Sequence, residues 1–249
     1  MYVAASTACF PDLPYDEVIS KLVDLEYTRV ELNIHESRGD LRPSEVAADL
    51  EHALAFCRQT QRLTPVAYSV EIEAEGDDYF HQFAAICRLA KATKVVTLVV
   101  RSAELGTPFN AEVERLQELV SIATVDGAVV AVKTEIGRMT EDADTIGVLC
   151  ENVKGLAVTL DPTHFTYGAG ADRPYDSVLK YVAHVHLRDS SKGALQVRVG
   201  QGEIEYGRLI SQLTLAKYNR ALTVDLRPLA ELDQMAEMRK TRLLLESLL

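Results

Sequence analysis

Alternation is the feature that most limits what this chain can fold into. Short apolar runs take turns with longer segments of helical period. The clearest strand candidates are Val95 to Val100, Ala128 to Val132, Leu156 to Leu160 and Ala221 to Val224. Each is apolar on both of its alternating faces, as a strand covered on two sides by helices must be. Weaker candidates are Tyr2 to Ser6, Thr28 to Asn33, Leu63 to Ser69 and Tyr181 to Leu187. The count is eight strands, each followed by a helical segment. Such alternation implies a parallel sheet. Eight units in 249 residues favour an α/β fold of one domain, a closed (β/α)8 barrel over residues 1–249, rather than an open doubly wound sheet. No GxGxxG follows the first strand, no P-loop occurs, and no Pro/Gly/Ser linker divides the chain.

The helical segments carry their own signals. Val113, Leu116, Val120 and Ala123 recur on one face. Thr107-Pro108 reads as a helix entry, a capping hydroxyl ahead of proline, and Thr140 reads as the next cap. The tail from Pro228 to Leu249 reads as a final helix with Leu232, Met235, Leu243 and Leu244 inward. His52 and His81 fall on predicted helices and are read as structural.

Composition excludes several classes. Hydrophobic residues at 47% and charged residues at 25% are ordinary for a globular protein. No apolar run approaches the roughly 18 to 20 residues of a membrane helix, and the N-terminus lacks a basic region ahead of an apolar core. Cys9, Cys57, Cys87 and Cys150 form no CxxC and no zinc-finger spacing, so they are expected as buried free thiols in a reducing cytoplasm. The formal net charge of −11 comes without a basic stripe, which argues against a nucleic-acid partner. Small sugars or sugar phosphates remain suitable ligands, because a local site can be positive on an acidic protein.

In such a barrel the chemistry sits where strands end. Glu31, Asn33 and His35 share one face of the second strand, and Lys133 and Glu135 one face at the end of the fifth. The sixth strand ends in Asp161-Pro-Thr-His164, the seventh reads His184-Val-His186-Leu-Arg188-Asp189, and the eighth ends in Asp225-Leu-Arg227. Carboxylates and imidazoles at successive strand ends suit a divalent metal such as Mn, Mg, Zn or Co. Such an ion polarises a sugar carbonyl and stabilises an enediolate, while a carboxylate shuttles the proton.

These residues resemble the xylose isomerase-like barrel superfamily of sugar isomerases and epimerases, which also holds a branch of apurinic endonucleases. The resemblance runs from about Glu31 to Asp225. It is most specific over Gly155 to His164, then His184 to Asp189, then Val199-Gly-Gln-Gly-Glu-Ile-Glu-Tyr206, which is similar to the family's glycine-rich loop. Thr107-Pro-Phe-Asn before the fourth helix adds a weaker match. The resemblance implies one divalent ion held at the ends of strands five to eight. It makes Asp161, His186 and Asp225 metal ligands and His164 a substrate contact. At the fifth strand the usual glutamate position holds Lys133. Glu135 lies one pleat repeat further, roughly 6 to 7 Å, and is the replacement ligand or base.

The readings then stand as follows. The first is an isomerase or epimerase of a small sugar or sugar phosphate. In it Glu135, Lys133 and Glu31 act in proton transfer, and His164, Arg188, His35 and His184 bind substrate. Asp161, His186, Asp225 and Glu135 hold the metal. The second is a metal-free or non-catalytic sugar-binding barrel, motivated by Lys133, whose ammonium repels a dication and neutralises Asp161 and Asp225. The third, an apurinic endonuclease, lacks the expected histidines in Leu195 to Val199 and at the end of the third strand. Resemblance also implies that the chain can form homo-oligomers. Gly168 to Gly170 and Asp189 to Gln201 are expected to be mobile loops near the site.

Overall fold

A computed structural model describes residues 1–249 except 169, 170 and 172. The barrel strands are β1 (Tyr2–Ser6), β2 (Arg29–His35), β3 (Thr64–Glu71), β4 (Thr97–Arg101), β5 (Val129–Lys133), β6 (Ala157–Leu160), β7 (Val182–Leu187) and β10 (Ala221–Val224). They pair in parallel and close in the order β1-β10-β7-β6-β5-β4-β3-β2. The helices are α1 (Tyr15–Asp24), α2 (Pro43–Ala48), α3 (Leu50–Cys57), α4 (Gly76–Thr93), α5 (Phe109–Val125), α6 (Ala143–Asn152), α7 (Thr163–Thr166), α8 (Tyr206–Leu215) and α9 (Gln234–Glu246). Leu22, Ile86, Leu89, Leu116, Leu149, Leu213 and Leu245 are fully buried where helices meet strands. Burying such side chains is the main favourable term in folding. The four cysteines are free and buried, as expected.

The eight expected strands all form, and the differences lie between them. After β6 the helix is one turn, α7, followed by a 3-10 helix over Asp176–Tyr181. After β7 the chain makes an antiparallel hairpin of β8 (Asp189–Ser191) and β9 (Ala194–Val197) before α8 begins. Of the two loops read as mobile, Gly168 to Gly170 lies mostly outside the described residues. The other is this hairpin and its return, tied down by Asp189, whose carboxylate accepts from the amides of Gly200 at 2.7 Å and Gly202 at 3.1 Å. A Cβ at Gly202 would collide with that carboxylate, which is why the Gly-Gln-Gly run stands here.

In α3, α6 and α9 the caps are carboxylates rather than the expected hydroxyls. α5 begins after Pro108 with no side-chain cap, so Thr107 does not cap it. α6 is capped by Asp142, which accepts from the Thr145 amide at 3.0 Å. Thr140 instead donates to the Lys133 carbonyl at 2.6 Å, fixing the chain just past β5. In α9 the buried face carries Met238, Thr241 and Leu245, and Leu243 is 51% exposed, which corrects its expected inward position. His52 and His81 are exposed on α3 and α4. No helix among the described residues is long and apolar enough to cross a membrane.

Candidate active site

The strand ends open into one cavity of about 690 Å³. Its floor and walls include Ser6 of β1, Glu31, Asn33 and His35 of β2, Ser69 and Glu71 of β3, and Arg101 of β4. Lys133 and Glu135 come from the end of β5, His186 from β7, and Asp225 and Arg227 follow β10. Loops after β1 and β2 add Phe10, Leu13, Tyr15, Arg38 and Asp40.

At the bottom lies a carboxylate between two imidazoles. Strand period two turns His184 and His186 to the same face of β7, into the barrel. Glu31 reaches them from β2, which is separated from β7 by β1 and β10. Glu31 Oε2 is 2.6 Å from His184 Nε2 and 2.8 Å from His186 Nε2. All three residues are at most 2% exposed. Burial alone would raise the Glu31 pKa. The fields and hydrogen bonds of the two histidines outweigh it and hold the carboxyl well below its usual range. Burial lowers the His184 pKa, against the pull of Glu31 toward the charged form. Thr223 Oγ1 lies 3.1 Å from the same nitrogen. His186 Nδ1 is buried without a hydrogen-bond partner, 3.7 Å from Asp225 Oδ2.

A second buried network surrounds Asp161. Its Oδ1 accepts from the Thr163 amide at 3.1 Å and hydroxyl at 2.5 Å, and its Oδ2 from Arg188 at 2.7 Å. His164 Nε2 lies 3.4 Å from Oδ2 and 3.2 Å from the Arg188 guanidinium, while its Nδ1 accepts from the Ile136 amide at 3.2 Å. Asp161 is fully buried, a cost that the Arg188 and His164 fields more than offset, so its pKa stays well below the ordinary value. Asp161, His164, His184 and Arg188 are not among the residues that line the cavity.

Glu135 belongs to a third group. Arg101 grips both its oxygens, at 2.6 and 2.9 Å, and reaches Glu71 at 2.9 Å with its other amine. Arg138 adds a contact at 3.5 Å. Burial opposes ionisation, but Arg101 lowers the Glu135 pKa below its usual value. His35 sits 3.2 Å from Ser69 and 3.6 Å from Glu71, and burial lowers its pKa. Asp225 has Lys133 at 3.5 Å from Oδ2 and Arg227 at 3.5 Å from Oδ1.

Of the residues singled out from sequence, Glu31, His35, Lys133, Glu135, His186 and Asp225 therefore line one cavity. The structure brings His186, Asp225 and Lys133 together and directs Asp161 and Glu135 to guanidinium groups. Arg101 was missed because the β4 run was read as ending at Val100. Its register beside Lys133 is the signal that finds it.

The profile of the xylose isomerase-like TIM barrel family matches residues 19–245. The chain belongs to that family. No curated protein is detectably similar in sequence. Solved structures share the fold at low identity. Escherichia coli YcjR, a 3-keto-D-glucoside 4-epimerase, superposes with a TM-score of 0.75 at 15% identity, over 99% of each chain. The IolI protein, solved with a zinc atom, gives 0.76 at 17% over 100% of this chain and 98% of that one. A xylose isomerase-like barrel from Mycobacterium smegmatis, solved with magnesium, gives 0.77 at 12% over 99% and 96%.

These metal-bound relatives prompt the question of whether this family member has ligands to offer. Glu31, His184 and His186 present three donor atoms within 4.8 Å of one another, of types that zinc accepts. Their separations of 2.6 and 2.8 Å are those of hydrogen bonds. An ion on those three atoms would take the place of both short contacts, while Glu31 Oε1, His186 Nδ1 and Asp225 Oδ1 are buried without a hydrogen-bond partner. The strand-end set fits less well. Both oxygens of Asp161 and of Glu135 already accept hydrogen bonds, and an ammonium faces Asp225. The residues present do not fit a divalent ion at the strand ends.

Proposed function

We propose that this protein is an isomerase or epimerase that moves a proton beside the carbonyl of a small sugar or sugar phosphate, through an enediolate. One observation carries the reading: His186 Nδ1, buried and unpartnered in a cavity-lining residue, with its other nitrogen held by the ionised Glu31. With Nε2 held against Glu31, His186 Nδ1 has no hydrogen-bond partner and stands where it can take a proton, the arrangement of an oriented general base. Glu31 orients this base, His184 holds Glu31 in turn, and Thr223 lies against His184.

Asn33, His35, Glu71, Arg101 and Glu135 line the walls and supply donors and acceptors for hydroxyl groups. Arg38, Arg101 and Arg227 line the cavity among its carboxylates and offer guanidinium donors of the kind a phosphate accepts from. Asp161, His164 and Arg188 act from behind the wall, as a frame rather than as contacts. The cavity volume suits a small molecule, and the acidic chain favours that class over nucleic acid. Mn, Mg, Zn or Co would enter only by displacing Lys133 or the two short contacts of Glu31, so the chemistry is assigned to the chain's own residues.

The test is solvent exchange. The protein is incubated in D2O with a panel of ketoses, aldoses and their phosphates, and deuterium at the carbons flanking the carbonyl is read by NMR. Exchange with one member, lost in His186→Asn, is the expected result. Saturable binding of a sugar without any exchange would instead make the protein a non-catalytic sugar-binding barrel.

A further inference from the structure

We propose that Lys133 is the resident cation of this site, its ammonium doing for the substrate oxygen what a divalent ion at the strand ends would do. The chemistry rests on the isomerase or epimerase reading; the charge argument does not. Lys133 ends β5, between Arg101 of β4 and Thr159 of β6 in register, and lines the cavity with 17% of its side chain exposed. Its Nζ stands 3.5 Å from Asp225 Oδ2. Its field also pulls Asp161 and Glu135, along with Asp225, toward ionisation.

Three strand-end carboxylates thus each have a fixed cation: Arg188 on Asp161, Arg101 on Glu135, Lys133 on Asp225. A dication placed among these three would face an ammonium and carboxylates that are already paired. The ammonium itself is underused. Among the described residues it makes the one ion pair at 3.5 Å and no hydrogen bond, so its N–H donors are open to the cavity.

Base and cation also converge. His186 Nδ1 lies 3.7 Å from the same Asp225 Oδ2 that Lys133 faces. A substrate lodged against Asp225 therefore meets both. His186 Nδ1 takes the proton from carbon. The C–H pair becomes the C=C bond of the enediolate, the carbonyl pair moves onto oxygen, and the Lys133 ammonium donates to that oxygen. His186 then delivers the proton to the neighbouring carbon, while the hydroxyl proton on that carbon's oxygen passes to the former carbonyl oxygen, which leaves the carbonyl moved by one position. Positioned donors of this kind stabilise charge that develops in the transition state.

The test is Mn2+ binding by chelator-treated protein, followed by calorimetry, in the wild type, in Lys133→Glu and in Lys133→Glu combined with Asp225→Ala. The wild type is expected to bind no Mn2+ at micromolar concentrations. Lys133→Glu is expected to gain one equivalent at least about 100-fold tighter, and the double variant to lose it. A stoichiometric micromolar site in the wild type would overturn the proposal, whether Asp225→Ala or His184→Ala removes it. A folded Lys133→Glu variant without the gain would overturn it as well. The wild-type arm needs no variant, so a misfolded substitution does not protect the idea. If no sugar exchanges deuterium while Lys133→Glu still gains the ion, the functional reading fails and the charge assignment stands.

Discussion

His186 Nε2 and Glu31 Oε2 meet at 2.8 Å across the barrel interior, 155 residues apart in the chain. The pair fixes the orientation of the His186 ring and favours the charged form of Glu31. Glu31→Gln keeps the shape but presents an amide whose NH2 cannot accept from both rings. Under the proposed function kcat is expected to fall about 10²- to 10⁴-fold, the usual worth of a positioned proton-transfer group, with KM changed far less. Steady-state kinetics on the substrate found by deuterium exchange checks this. Equal loss in KM alone would make Glu31 a binding residue.

Buried carboxylates set the acid limb of stability. Glu31 and Asp161 both have folded-state pKa values well below the ordinary range, because histidines and Arg188 favour their charged forms. A depressed pKa contributes stability that is present above the unfolded value, about 4, and is lost as pH falls through the folded value. The melting temperature is therefore expected to hold between pH 7 and 5 and to fall steadily below about pH 4. Asp161→Asn is expected to flatten that fall. It also leaves Arg188, 7% exposed, as a buried charge without its partner, and should cost about 3 to 5 kcal/mol at neutral pH. Urea titrations at several pH values read both effects.

Much of the fold was legible because each strand of a parallel barrel is covered on both sides and shows as an apolar run. Val129–Lys133 and Ala221–Val224 form close to where their sequences place them. The β8–β9 hairpin was not legible. β8 is polar although mostly buried, β9 is half-buried and mixed in polarity, and the hairpin is held by the Asp189 carboxylate across Gly200 and Gly202. The site was legible by type and not by partnership. Glu31 and His184 were visible as inward-facing strand residues, but nothing local says that barrel closure brings them within 2.6 Å. Arg101 was the decisive omission, and the pairing of Arg188, read as a substrate contact, with Asp161 was not visible, since a guanidinium's choice of carboxylate is a three-dimensional fact.

Gly202→Ala tests the tie between the hairpin and the start of the glycine-rich run. The new methyl group collides with Asp189, which must release the amides of Gly200 and Gly202. Overpacking of this kind costs about 1 to 3 kcal/mol, and the freed hairpin should become the first site of proteolytic nicking. Urea unfolding with mass mapping of limited digests checks the pair of outcomes. Unchanged stability with no new cut near 190–202 would show that the loop tolerates another path.

Arg101 is the last group whose removal separates two roles for Glu135. Arg101 binds Glu135 through two amines and Glu71 through a third contact, and it is the main cause of the lowered Glu135 pKa after burial. In Arg101→Met the Glu135 pKa should rise, because burial then acts with only Lys133 and Arg138 against it. A carboxylate meant as a proton shuttle gains from such a rise, since a weaker acid is a stronger base. A carboxylate meant to hold Arg101 over the substrate loses its purpose with it. Under the proposed function the second applies: KM should rise about tenfold or more, kcat should change less, and the loss should be greater for a phosphorylated substrate than for the free sugar. NMR titration of the Glu135 side chain and kinetics on both substrates decide it, and a rise in kcat would return the proton-transfer role to Glu135.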